Sequence, residues 1–203
     1  MASYPKHLCT PEEYIALERK ALYKNEYCNG EISAMSGASR EHILIVVNLG
    51  SDLNTQLENR DCEVYTTEMR VRTPDTKLYT YPDVAVVCGP PKFEDQSVDT
   101  LLNPTLIVEV LSPSTEAYDR TKKFSAYRTI NSLQEYILTS QQECRVTQFI
   151  RPASGPWLFQ EFTNLEDTIH FQSIKCSVSL KKIYARIQFP PDSELQASEE
   201  NRL

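Results

Sequence analysis

The run Thr105-Leu106-Ile107-Val108-Glu109-Val110-Leu111 constrains the fold more than any other stretch of the chain. It is short, apolar at consecutive positions and rich in β-branched residues, the pattern of a strand covered on both faces. Glu109 sits in its middle. A carboxylate is seldom fully buried without a partner, because removing it from water is costly unless it is paired, metal-bound or neutralised. A salt bridge, an edge position facing solvent and a metal site would each answer that requirement.

Around this strand the pattern alternates helices and strands. Thr10-Pro11-Glu12-Glu13 reads as a helix start, with Thr10 as N-cap and Glu13 closing a capping box, and the helix runs to about residue 21. Asn29-Gly30 between two short runs signals a hairpin. Ile43, Val46, Val47, Gly50, Leu53 and Leu57 recur at spacings of three and four, which predicts a helix with one buried stripe. Strands are expected over 62–66, 68–72 and 81–87, the last opened by Pro82 where a strand tolerates proline, and 89–103 reads as a loop. Ser112-Pro113-Ser114-Thr115 ends the central strand and supplies N-cap hydroxyls for a helix over 116–130. Strands over 134–139, 145–151 and 157–162 and a short helix over 180–187 complete the expectation. The order is that of an α/β fold with a mixed sheet flanked by helices. We expect a short extension over 1–9, one domain over 10–187, and an acidic tail without fixed structure over 188–203.

With 203 residues, 40% of them hydrophobic and 24% charged, the chain can bury a full core. No stretch approaches the roughly 18 apolar residues of a membrane span, and the N-terminus lacks the pattern of a secretory signal, so we expect a soluble, cytoplasmic protein. The six cysteines are widely spaced with no CxxC pair, which favours free core thiols over disulfides or zinc. A net charge of −7 counts against a protein that coats nucleic acid nonspecifically, yet Arg120, Lys122, Lys123 and Arg128 cluster, as do Arg70, Arg72 and Lys77. Each cluster taken alone is a solvated face.

Asp83, near the start of the apolar run Tyr81 to Val87, parallels Glu109. Aspartate disfavours strand interiors, so acids on two neighbouring core strands invite one explanation: a shared hard cation such as Mg²⁺, or separate pairs with Arg70 or Arg72. On the following helix Asp119, Lys123 and Tyr127 share a face, while Ala117, Phe124 and Ile130 lean to the core. Lys123 can reach back to Glu109 from there, or pair with Asp119 on a wet face. Ser112 and Ser114 lack a GxSxG elbow, and there is no Walker loop, GxGxxG or HExxH.

Pro82-Asp83 followed by an acid in an apolar strand resembles the PD-(D/E)XK nuclease superfamily with its restriction-endonuclease-like fold. NPTLIVEVLSPSTEAYDRTKKFSAYR (103–128) resembles one branch of it, a group of uncharacterised restriction-endonuclease-like proteins. TPEEYIALE, NGEISAMSGASREH, YPDVAVVCGPP and LQEYIL extend the likeness over roughly 10–187. The superfamily's lysine falls two residues after the second acid, where this chain has Leu111; Lys123, rather than Lys122, takes its place on the following helix. The resemblance implies Asp83 and Glu109 as Mg²⁺ ligands, with Mn²⁺ as a substitute and the Val110 carbonyl as a third candidate, and Lys123 as the residue that positions water. It further implies an endonuclease acting on DNA. A nucleic-acid-binding protein that retains the fold without turnover is the alternative, and a twofold homodimer would suit double-strand cleavage. Glu31 and His42 also lie in matching segments, and for both we expect a structural role.

Overall fold

The computed structural model describes residues 8–75 and 77–189. The chain runs through α1 (Pro11–Glu18), β1 (Asn25–Cys28), β2 (Glu31–Ala34), α2 (Arg40–Leu57), β3 (Cys62–Thr66), β4 (Arg70–Arg72) and β5 (Leu78–Thr80). It continues through β6 (Val84–Cys88), β7 (Thr100–Leu101) and β8 (Leu106–Leu111). A helix in three parts follows: α3 (Glu116–Tyr118), a π-helical stretch (Asp119–Lys123) and α4 (Phe124–Tyr127). Strands β9 (Glu135–Ser140), β10 (Val146–Ile150), β11 (Leu158–Phe162), β12 (Thr168–Phe171) and β13 (Cys176–Ser179) precede α5 (Leu180–Ile183).

β8 occupies the interior of a six-stranded sheet of order β11-β10-β9-β8-β6-β3, antiparallel to β6 and parallel to β9. Because strand side chains alternate, each face of β8 meets a different layer. Leu106, Val108 and Val110 join Ile45, Leu49 and Leu53 of α2 in one core. Ile107 and Leu111 join Tyr127, Ile130 and Tyr136 in the other, together with Val71 and Leu101 of the second sheet. This double cover is why the run reads as continuously apolar. The second sheet, of order β2-β1-β5-β4-β7, is five-stranded and buries Tyr27 and Tyr79 against Tyr14 of α1. The chain passes from β5 in one sheet to β6 in the other through Tyr81-Pro82-Asp83. Pro82 has no N–H to give a ladder, which suits a point where pairing changes hands.

Local chemistry accounts for several boundaries. Thr10 and Glu13 cap α1 reciprocally, with N···O distances of 3.2 and 2.8 Å. Asn29 and Gly30 both have positive φ (49° and 96°), the requirement of the tight turn that joins β1 to β2. Gly50 lets α2 approach β3, since a Cβ there would lie 3.1 Å from Thr66 Cγ2.

Several expectations need correction. The buried stripe of α2 is Ile45, Val46, Leu49, Gly50, Leu53 and Leu57, whereas Ile43 and Val47 are 52% and 55% exposed. Two overlapping three-and-four registers run along this helix, and contact with the sheet selects between them. The second expected strand starts at Arg70, the third at Val84, and the loop over 89–103 contains β7. The short strands β5, β12 and β13 escaped the reading altogether. Ala117 faces solvent, and the helix buries Asp119, Lys123, Ala126 and Tyr127 instead. No side-chain hydroxyl caps α3; the Ser112 hydroxyl instead accepts from the Thr115 N–H at 3.2 Å, in the turn that precedes the helix. Cys62 and Cys88 form a disulfide rather than staying free: they are register partners across β3 and β6, with Cα atoms 4.0 Å apart. Of the remaining thiols only Cys176 is buried. Of the expected tail, Phe189 packs edge-on against Tyr184 with centroids 5.0 Å apart, and 190–203 lie outside the described residues, as do 1–7 of the expected extension. Among the described residues, no helix is long and apolar enough to cross a membrane.

Candidate active site

The register Val84↔Val108 carries one step further to set Asp83 opposite Glu109. Glu109 leaves the sheet on the face covered by α4, like Ile107 and Leu111 of that core, whereas Asp83 precedes β6, is not placed by strand alternation, and touches His42 of α2. Asp83 sits just outside β6, where the chain leaves one sheet for the other. Its two oxygens are held separately: Oδ2 accepts from the Val110 N–H at 2.7 Å, and Oδ1 lies 2.7 Å from His42 Nε2. Glu109 Oε1 accepts from the Tyr127 hydroxyl at 2.8 Å and forms an ion pair with Lys123 Nζ at 3.0 Å.

Lys123 projects from the π-helical stretch, a local widening of the helix often found at functional sites. Its ammonium meets Glu109 at 3.0 Å, Glu26 at 3.2 Å and Asp119 at 3.5 Å, and its side chain is 7% exposed. Glu26 arrives from the five-stranded sheet. In β1 it alternates with Tyr27, so burying Tyr27 against Tyr14 turns Glu26 to the opposite face, where the Thr80 hydroxyl donates to it. The site therefore closes between two sheets and one helix. Lys122, the neighbour of Lys123, is exposed.

Glu26, Glu109 and Asp119 gather around a single lysine, with Asp83 acting on Glu109 from beside them, and that imbalance sets the electrostatics. Burial pushes the Glu109 carboxyl well above the ordinary carboxylate range, with Asp119 and Asp83 adding to the rise, while Lys123 and the Tyr127 hydroxyl oppose it. Burial likewise raises Asp119. Burial works against the Lys123 ammonium, but Glu109, Glu26 and Asp119 prevail and hold its pKa well above the ordinary value. A second cation would relieve the surplus negative charge.

Among the described residues, no three His, Cys, Asp or Glu side chains are arranged to hold a metal ion. The donor set nevertheless fits Mg²⁺, which takes one or two carboxylates and retains several waters. Asp83 and Glu109 would be those carboxylates, since each carboxylate oxygen has two acceptor sites and their present hydrogen bonds leave capacity for a cation. In a strand the N–H and C=O of one residue point to the same side. The Val110 N–H meets Asp83, so its carbonyl opens toward Asp83 as well.

Asp83, Glu109, Lys123 and Val110 are thus brought together. The arginine pairings weighed for the acids are absent: Arg70 contacts Asp99 (2.9 Å) and Tyr81 (3.0 Å), and Arg72 contacts Glu94 (2.9 Å). Nor does Lys123 lie on a wet face. Sequence reasoning missed Glu26 and gave Tyr127 no role. His42, expected to be structural, touches Asp83, whereas Glu31 is exposed on β2. The alternation Glu26-Tyr27 was the available signal for Glu26, since one buried tyrosine turns the neighbouring acid to the other face. Nothing in the local sequence linked His42 to Asp83.

Two proteins of Synechocystis sp. (strain ATCC 27184 / PCC 6803 / Kazusa) are similar to this chain. "Uncharacterized protein slr1290" is 36% identical over 188 residues, covering 93% of this chain and 96% of that protein. "Uncharacterized protein sll1609" is 37% identical over 168 residues, covering 83% and 95%. A solved structure described as a putative nuclease belonging to DUF820, from Anabaena variabilis ATCC 29413, superimposes with a TM-score of 0.71 at 20% identity, covering 88% of this chain and 99% of that one. That match shows a shared mixed α/β fold. Residues 11–181 match the Uma2 family model, described as "Putative restriction endonuclease", and the chain belongs to that family, within the restriction-endonuclease-like superfamily.

Proposed function

We propose that this protein is a Mg²⁺-dependent endonuclease that hydrolyses phosphodiester bonds in DNA. The observation that carries the reading is the meeting of Asp83 and Glu109 at one end of the sheet: Asp83 accepts from the N–H of Val110, the residue after Glu109, at 2.7 Å, and the Lys123 ammonium lies 3.0 Å from Glu109. Asp83, Glu109 and the Val110 carbonyl would hold the cation, for which Mn²⁺ is a substitute. The chemistry supplied by the bound cation is polarisation of the scissile phosphate and a lower pKa for the attacking water.

The chain's own groups have separate tasks. Lys123 keeps its proton beside three carboxylates, so it serves as a positive charge that orients water and stabilises charge growing on the phosphate, not as a general base. The Tyr127 hydroxyl and Lys123 hold Glu109 in place from the helix side. Exposed Lys122 and Arg128 on the same helix offer phosphate contacts to a nucleic acid.

Incubation with supercoiled plasmid and Mg²⁺, beside Asp83→Ala and Glu109→Ala, tests the proposal. Cleavage by the wild type alone supports it, and equal cleavage by all three shows that another activity is responsible. One observation favours a second reading, a DNA-binding protein without turnover: Lys123 already sits on Glu109, where a cation would bind. Salt-sensitive DNA binding without cleavage in Mg²⁺ or Mn²⁺ would support that reading.

A further inference from the structure

We infer that His42 is a positioning residue: it holds the Asp83 carboxylate in the orientation in which that group and Glu109 would grip a divalent cation. The inference rests on the metal site proposed above and adds a residue from the opposite layer of the fold. His42 Nε2 lies 2.7 Å from Asp83 Oδ1, and the two side chains are 16% and 12% exposed. The Val110 N–H takes the other oxygen at 2.7 Å, so one donor from α2 and one from β8 fix the plane of the carboxylate. Asp83 needs such support. It stands outside β6 beside Pro82, and its own backbone is tied by the Thr67 N–H to Asp83 O contact at 3.2 Å.

His42 is itself held from two sides. Its backbone N–H donates to the Ser39 hydroxyl, the N-cap of α2, at 3.1 Å, and that hydroxyl donates to Gln141 just beyond β9. Below it, Ile45, Leu49 and Leu53 seat α2 against the sheet. The imidazole therefore enters the site on a rigid helix whose first turn is pinned to the end of β9. The first turn of a helix also favours a nearby carboxylate through its unpaired N–H groups. Partners that orient a ligand in this way typically contribute about 10–100-fold to metal affinity.

Calorimetric titration of Mn²⁺ into the wild type, Asp83→Ala, His42→Ala, His42→Gln and His42→Asn tests the inference, with the thermal midpoint recorded for each. A glutamine amide can place a donor where Nε2 lies, whereas asparagine is one methylene too short. We expect Asp83→Ala to abolish binding, and His42→Ala and His42→Asn to weaken it at least about tenfold. His42→Gln should stay within about threefold of the wild type, and all three His42 variants should keep midpoints close together. Wild-type affinity in His42→Ala, while Asp83→Ala still abolishes binding, overturns the inference and leaves the metal site standing. His42→Gln no better than His42→Asn overturns it too, because the donor at the Nε2 position would then not be what matters. Equal titrations of the wild type and Asp83→Ala overturn the metal site and this inference together.

Discussion

Replacing Lys123 by methionine removes one ammonium and keeps most of the stem. In the wild type that ammonium lies 3.0, 3.2 and 3.5 Å from Glu109, Glu26 and Asp119, in a side chain that is 7% exposed. Without it, three carboxylates face a thioether. Breaking a buried pair by removing one partner costs about 3–5 kcal/mol, because the charge left behind has neither water nor a counter-ion. For a chain of this length each kcal/mol shifts the midpoint by about 2–4 °C, so Lys123→Met should melt roughly 6–20 °C below the wild type. Adding Glu109→Gln removes one of the orphaned charges, and the double variant should recover about 1–3 kcal/mol relative to additivity. Urea unfolding of the four proteins, followed by circular dichroism without divalent ions near neutral pH, completes the cycle. A Lys123→Met variant within about 1 kcal/mol of the wild type, or a double variant that is simply additive, would show that the lysine does not neutralise this cluster.

Other expectations follow from separate parts of the fold. Gly30→Ala should cost about 1–2 kcal/mol, since φ is 96° there and the added Cβ would meet Leu8 Cβ at 2.7 Å; equal urea midpoints would contradict this. Reduction of the Cys62–Cys88 disulfide, or Cys62→Ser with Cys88→Ser, should lower stability by about 2–4 kcal/mol, read as a shift in the urea midpoint on adding dithiothreitol. Hydrogen bonds from Arg19, aided by Arg70, hold the Asp99 carboxyl well below the ordinary range despite partial burial. Its folded pKa lies below its unfolded one, so its contribution is present above the ordinary carboxylate range and is lost as pH falls. Asp99→Asn should therefore flatten the loss of stability below about pH 4, and an unchanged acid limb would refute the assignment.

The parts of this molecule that could be read from sequence are those in which local pattern and tertiary environment agree. β8 reads as a doubly covered strand because both of its faces meet apolar layers, and the single exception, Glu109, points to the site. The helical spacing of Asp119, Lys123 and Tyr127 shows that they share a face, but the pattern alone left that face either reaching back to Glu109 or wet. Three polar groups suggest solvent unless their partners are known, and one of those partners, Glu26, lies far away on another sheet. His42 escaped for the same reason: its contact depends on α2 crossing the end of β6. The disulfide was hidden because a register between strands separated by 26 residues leaves no periodic trace. Strands such as β5, with three residues, are too short to show alternation.

Crystals soaked in Mn²⁺ and measured at a wavelength where manganese scatters anomalously test the central claim most directly. The account predicts one strong anomalous peak between the carboxylates of Asp83 and Glu109, within coordination distance of both and beside the Val110 carbonyl. Ordered crystals at high Mn²⁺ with no peak there, and the Lys123 ammonium still seated on Glu109, would contradict it.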